Sequence, residues 1–151
     1  MRLTTISYFR GVKMRKFTKA DLEKLEGYWI NLNQLKKDMR FREWELLNPH
    51  QENEKNVGGK GSNISNPTEN KAIILAEDRE YQNLKSIIET IEKLFDELDE
   101  EQKVIVQMRY QNTKDCYEWQ HIADELGMSV QRVLRKRKLL IDETAKRIGW
   151  V

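Results

Sequence analysis

The sequence predicts an all-α fold in which long helices form a coiled-coil-like hairpin or a dimerisation region and precede a C-terminal helix-turn-helix domain. Two apolar stripes recur at spacings of three and four residues, and each one follows a recognisable helix start. In the last third of the chain, small, turn-forming and apolar residues stand at the spacings that two short crossing helices require. With 151 residues, the chain has room for one compact domain or for a small domain with an extension.

The first stripe starts after Thr18, which forms a capping-box pattern with Asp21. One apolar face then continues to about residue 47 and carries Leu22, Leu25, Trp29, Leu32, Leu35 and Met39. We therefore predict an N-terminal helix over residues 18–47. Residues 1–17 before it are predicted to be a flexible N-terminus, in which Met14 is an alternative translation start.

The second stripe starts at Asn66-Pro67-Thr68-Glu69, which combines an N-cap, a proline at the first helical position and an early acid. It predicts a central helix over residues 67–98 with an apolar face of nearly three heptads, formed by Tyr81, Leu84, Ile88, Ile91, Phe95 and Leu98. Residues 48–66 are rich in Asn, Gly and Ser and predict a flexible linker or a functional loop. The two stripes pair either within one chain or across a homodimer, and the pattern leaves both open.

A helix-turn-helix pattern begins at Trp119. Ala123 supplies the small side chain that two steeply crossing helices need at their closest approach. Gly127 can take the positive φ of the sharp turn, and Ser129 can cap the second helix. Val133 is predicted to face inward from the second helix. Since these requirements are met in one register, the pattern is specific.

One position departs from the pattern. Lys136 stands where helix-turn-helix sequences usually have an apolar residue. Either its aliphatic stem covers the edge of the core while the ammonium reaches solvent or a phosphate, or the helix is rotated so that Leu140 and Ile141 close the core.

The charge of the chain is segregated although its net value is only +2. Residues 1–47 hold 11 basic and 6 acidic groups, whereas residues 84–101 hold 2 basic and 7 acidic groups. Residues 132–138 hold five basic groups and no acid, and these five surround much of one helix. Such a concentration is favourable against a polyanion. The acidic run at 96–101 precedes the motif and is not expected to cancel this charge at a DNA groove.

We therefore predict that residues 99–151 form a DNA-binding domain whose second helix enters the major groove of duplex DNA. The base-reading candidates lie in the first two turns of that helix: Val130, Gln131, Arg132 and Arg135. Glutamine can pair with adenine, arginine with guanine, and valine can touch a thymine methyl group. The phosphate-contacting candidates lie further along this helix and at the start of the preceding one: Lys136, Arg137, Lys138, Trp119 and Gln120.

Other classes of protein find little support in the sequence. Cys116 is the only cysteine and the two histidines are far apart, so neither a disulfide nor a metal site is expected. No nucleophile set appears, and Gly58-Gly59-Lys60-Gly61 lacks the strand and helix that flank a phosphate-binding loop. We expect no enzyme activity and no cofactor. Without an apolar span or a signal-peptide pattern, a cytoplasmic protein with no membrane partner is expected.

The stretch from about Leu98 to Trp150 resembles region four of bacterial sigma factors, the part that reads the −35 promoter element. The resemblance rests on MRY at 108–110, on IADELGMS at 122–129 and on the long basic final helix. The layout over residues 18–151 also resembles phage regulators of the RinA and ArpU type, with Val57-Gly58-Gly59 and the NPTEN sequence at 66–70 in the connector.

This second resemblance implies a transcriptional activator of late phage genes, such as packaging and structural genes, that works with host RNA polymerase. It also implies that residues from Ser129 to Lys138 lie on DNA, although Lys136 departs from the motif. One alternative is a phage small terminase subunit, which binds a packaging site and usually forms a ring of about eight or more subunits. Another is an interaction protein that binds RNA polymerase, with DNA secondary.

Overall fold

The computed structural model describes residues 16–49, 67–112 and 114–150. Within these ranges the backbone forms seven α-helices and a π-helical turn, and no strand. The helices are α1 (Lys19–Ile30), α2 (Leu32–Leu47), α3 (Pro67–Glu77), α4 (Arg79–Glu97), α5 (Glu100–Val106), α6 (Trp119–Leu126) and α7 (Val130–Ile148), and the π-helical turn is Gln107–Gln111. The predicted all-α fold is confirmed. None of the helices in the described ranges is both long and apolar enough to span a membrane.

Several predictions fall on parts of the chain outside the described residues. These are the alternative start at Met14, the cap at Asn66, and most of the flexible segments predicted over residues 1–17 and 48–66. The C-terminal boundary of the first segment is corrected, however. The Phe17 ring lies 6.4 Å from the Trp150 ring and packs against the main core, so residue 17 belongs to the folded part of the chain.

The single helix predicted over residues 18–47 is in fact two helices. The capping box at its start is present, since the Asp21 N–H donates to Thr18 Oγ1 at 3.2 Å and the Thr18 N–H donates to Asp21 Oδ2 at 2.9 Å. The helix breaks at Asn31, where φ is −99° and ψ is 14°. Asparagine is a weak helix former because its side chain competes for backbone hydrogen bonds. The break lets α1 pack on α7 while α2 packs along α4.

The central helix predicted over residues 67–98 is also divided, at Asp78. This residue has extended backbone angles, and its carboxylate caps α4 by accepting the Tyr81 N–H at 2.8 Å. Both oxygens also accept from Arg42 of α2, from Nε at 3.1 Å and from Nη2 at 2.8 Å. This charge-assisted pair lowers the pKa of Asp78. The helix therefore breaks where one acid both caps α4 and binds α2.

One core joins the N-terminal helices to the end of the chain. Its buried side chains come from α1, α4, the α5–π segment and α7, and they are Leu25, Trp29, Ile91, Leu94, Val106, Tyr110, Leu140, Ile141 and Ala145. Residues of both predicted stripes thus pack together within one chain. Residues 99–151 also share this core with α1 and α4, although the sequence predicted them as a separate domain.

A buried hydrogen bond ties α1 to α7 inside this core. The Trp29 indole Nε1–H donates to Thr144 Oγ1 at 3.1 Å, and the Thr144 hydroxyl donates to the Leu140 carbonyl at 2.7 Å. Both side chains are essentially inaccessible to solvent. The polar atoms are therefore satisfied without water, and α7 is fixed against the N-terminal part of the protein.

Candidate nucleic-acid interface

The turn between α6 and α7 has the geometry that its residues predict. Gly127 ends α6 in the left-handed region, with φ 63° and ψ 35°, and the Met128 N–H donates to the Ala123 carbonyl at 3.0 Å. Ser129 then starts α7, because its hydroxyl oxygen accepts the Arg132 N–H at 3.2 Å. Both the positive φ at Gly127 and the cap at Ser129 are confirmed.

Replacing Gly127 by alanine is expected to lower the free energy of unfolding by roughly 1–2 kcal/mol, the cost of a left-handed conformation for a residue with a Cβ. A Cβ at this position would meet no atom within 4 Å, so the cost arises in the backbone alone. Gly27→Ala is the matched control: it lies inside α1 with only an ordinary contact at 3.8 Å, and helix propensity favours it. Urea unfolding should show opposite signs for the two variants, and equal signs would contradict this account.

A second core cluster holds α6 and α7 together. It consists of Ile105 from α5, Ile122 and Ala123 from α6, and Val133 from α7, all almost completely buried. Leu126 packs against them and is partly exposed. The predicted inward positions at Ala123 and Val133 are confirmed. Because α5 contributes Ile105, this pair of helices is also fixed to the rest of the fold.

The outward side of α7 carries a polar and basic surface. Its side chains are exposed, follow one another at spacings of one, three and three residues, and are Gln131, Arg132, Arg135 and Lys138. Among the described residues, none of the three cations forms a salt bridge. We call these four residues the basic face. Val130, the remaining base-reading candidate, is instead partly buried against the second core cluster.

Lys136 does not lie on the basic face. Its ammonium binds Asp99 Oδ2 at 3.0 Å and Glu101 Oε2 at 2.8 Å, and only 17% of its side chain is exposed. Burial alone would lower the pKa of Lys136, but the hydrogen bonds to the two carboxylates outweigh it and raise the pKa. The acidic run at 96–101 was expected not to cancel the basic charge, but two of its carboxylates pair with this one of the five cations. Leu140 and Ile141 are buried, as the rotated-helix alternative predicts.

Arg137 and Trp119 are partly buried and likewise contact other elements of the protein. The guanidinium of Arg137 pairs with Glu26 of α1, and its Cζ lies 5.2 Å from the centroid of the Trp119 ring. Arg109 approaches the same ring at 4.7 Å and donates to the Tyr117 carbonyl at 2.9 Å. Partial burial lowers the pKa of Arg137. Both residues thus join α6 and α7 to α1 and the π-helical turn, away from the basic face.

The last predicted contact, Gln120, is exposed on α6 and donates from Nε2 to Asp124 Oδ1 at 2.9 Å. The structure therefore brings together four of the ten predicted site residues on one face. The others lie elsewhere: Trp119 and Gln120 are on α6, Ser129 caps α7, Val130 packs against the second core cluster, and Lys136 and Arg137 pair with carboxylates of other elements. Asp99 and Glu101 were noted in the sequence only as part of the acidic run at 96–101, and Glu26 was not noted, because no local pattern joins a carboxylate to a cation 35 or more residues away. Within the described ranges, no three His, Cys, Asp or Glu side chains are grouped to hold a metal ion.

The chain matches a protein-family model. A family model described as a protein of unknown function (DUF722) matches residues 25–146. The curated proteins and the solved structures contain no match to this chain. The matched residues begin in α1 and end in α7, so they include the main core, the second core cluster and the basic face.

Proposed function

The chain belongs to the DUF722 family, whose function is unknown, and from its own residues we propose that it is a sequence-specific DNA-binding transcriptional regulator. In this proposal α6 and α7 form a helix-turn-helix, and α7 enters the major groove of duplex DNA. The protein acts as a binding module and performs no catalytic step.

The division of charge on α7 is the observation that carries this proposal. Lys136 and Arg137 each bind carboxylates from other elements, so they stabilise the fold. Arg132, Arg135 and Lys138 have no such partner among the described residues and share the outward face. Cations without a salt bridge on one face of a capped helix favour a polyanionic ligand.

The positions along α7 suggest how the contacts are divided. Gln131 and Arg132 lie in its first turn and Arg135 in its second, where a recognition helix meets base edges. A glutamine can pair with adenine and an arginine with guanine in the major groove. Lys138 lies one further turn along the helix and is assigned to a phosphate. The basic face therefore contains both base-reading and phosphate-binding groups.

The partner and the biological setting follow from resemblance. Residues from about Leu98 to Trp150 resemble sigma region four, and the layout resembles activators of the RinA and ArpU type. We therefore assign the protein to activation of late phage promoters together with RNA polymerase, in the cytoplasm of the bacterial host. This places the DNA site just upstream of the genes that the protein controls.

The direct test is binding of the full chain to the DNA upstream of the gene cluster that follows its own gene. Affinity is measured over a salt series, in parallel with an unrelated duplex of equal length. A specific regulator is expected to bind the upstream duplex about 10³-fold or more tightly. Equal and weak binding to both duplexes would overturn the proposal and favour the polymerase-binding or packaging alternatives.

Two neighbouring lysines provide an internal comparison. Lys138→Met is expected to weaken binding to both duplexes and to reduce the slope of log affinity against log salt by about one, since a phosphate contact is lost. Lys136→Met removes the same charge from the same helix, but its ammonium already binds Asp99 and Glu101, so the slope should stay unchanged. Fluorescence anisotropy over a salt series measures both. A reduced slope in Lys136→Met alone would show that Lys136, and not Lys138, contacts the phosphate.

A further inference from the structure

One part of the fold contains no buried side chain. Helices α2 and α3 and the first half of α4, residues 32–49 and 68–87, have only partly or fully exposed side chains. We call this part the arm. Most helices in proteins are held by burial of an apolar face rather than by their intrinsic propensity. The arm is therefore a region whose apolar groups are only incompletely covered by the residues that the structure describes.

The uncovered apolar groups of the arm are large. Phe41 and Trp44 on α2 stack on each other with ring centroids 6.1 Å apart, and they are 60% and 55% exposed. Ile73 and Ile74 on α3 are 52% and 41% exposed, and α3 packs against both α2 and α4. Four of the six large hydrophobic side chains that are exposed in the described residues thus belong to the arm. Such a concentration marks an interaction surface.

We propose that this surface binds the same surface of a second copy of the chain, so that the protein is a dimer joined through its arms. The proposal does not depend on DNA binding. It also differs from pairing through the two predicted stripes, because residues of those stripes meet inside one chain in the main core.

The charges around the surface suit a self-complementary contact. Residues 32–49 carry four basic and three acidic side chains, a net +1, and residues 68–87 carry three basic and four acidic, a net −1. Together the arm is neutral. A nucleic acid or an acidic membrane would favour a strongly basic surface, whereas two identical surfaces without net charge can meet without mutual repulsion.

The apolar area is of the size that a dimer needs. Two aromatic and two isoleucine side chains at about half exposure offer roughly 400 Å² per copy. A stable interface of standard size buries about 800 Å² per partner, somewhat more than half of it apolar. Residues 50–66, which connect α2 to α3, include only Val57 and Ile64 as apolar side chains, so their composition does not provide a cover of this size.

The test is the mass of the full chain in solution without DNA, measured by sedimentation equilibrium or light scattering at several concentrations. The wild type is expected at twice the 18.1 kDa of one chain. The variant Phe41→Glu/Trp44→Glu is expected to weaken self-association by about 100-fold or more, because two central apolar contacts become charged. Its helix content should stay unchanged, since both side chains are exposed in the single chain.

Leu139→Glu is the matched control, because Leu139 is 62% exposed but lies on α7, outside the arm. This variant should remain a dimer. Hydrogen exchange adds a second measurement: amides of α2 and α3 should exchange more slowly as wild-type concentration rises, and the double variant should show no such dependence. A monomeric wild type, a ring of larger mass, or a double variant that remains dimeric would each overturn the proposal. None of these outcomes depends on whether the protein binds DNA.

Discussion

Replacing Arg132 and Arg135 together by alanine is expected to lower the affinity for the specific duplex by roughly 30-fold to 10,000-fold. Each arginine that reads a guanine is worth about 1–3 kcal/mol, and contacts to separate base pairs add approximately, so the sum of about 2–6 kcal/mol would allow an upper value of about 20,000-fold, of which somewhat less is expected because additivity is incomplete. Both side chains are exposed and lack a salt bridge to any described residue, so their removal should leave the fold intact. Fluorescence anisotropy with the upstream duplex and an unrelated duplex measures the loss of specificity.

A control with the same change in charge separates base reading from bulk electrostatics. Lys85→Ala/Lys93→Ala removes two exposed cations from α4, a different helix from the one that carries the basic face. Both lysines lie outside the basic face, and the effect of charges that do not contact the duplex is reduced by screening at physiological salt, so affinity should change little. If this control lost as much specific affinity as the arginine variant, the contacts assigned to Arg132 and Arg135 would be wrong.

Much of the fold can be predicted from local patterns because the residues that decide it are close in sequence. Thr18 with Asp21, Asp99 with Gln102, and Ser129 with the Arg132 amide are all interactions over three residues, and each is present in the structure. The turn at Gly127 is likewise a local requirement. The helix breaks are less predictable. The helix break at Asp78 depends partly on a hydrogen bond from Arg42, which is 36 residues away in sequence.

The candidate site shows the same division between local and distant causes. Helical spacing places Gln131, Arg132, Arg135 and Lys138 on one face, whatever the rest of the chain does. Which cations form salt bridges depends on Asp99, Glu101 and Glu26, which lie on α1 and at the start of α5 and meet α7 only through the tertiary fold. The basic run at 132–138 thus indicates one DNA-binding cluster in the sequence, whereas the fold divides it into structural and exposed cations.

Replacing Trp29 by alanine is expected to lower the free energy of unfolding by about 3–5 kcal/mol, a larger loss of stability than we expect from Gly127→Ala. The side chain is 1% exposed and packs in the main core beside Leu25. Its removal leaves a cavity between α1 and α7, because surrounding side chains relax only partly. Since small domains are stable by about 5–15 kcal/mol, a large part of the stability is lost. Urea unfolding followed by circular dichroism measures it.

A double-mutant cycle separates the hydrogen bond of Trp29 from the burial of its ring. Thr144→Val keeps the shape of Thr144 but leaves the buried indole N–H without its acceptor, a cost of about 1–3 kcal/mol. In a Trp29→Phe background that N–H is absent, so the same substitution should cost clearly less. Equal costs in both backgrounds would show that the bond contributes nothing and that α1 is held to α7 by apolar packing and the Glu26–Arg137 pair. A reduced cost would make this bond a specific determinant of how α7 is oriented.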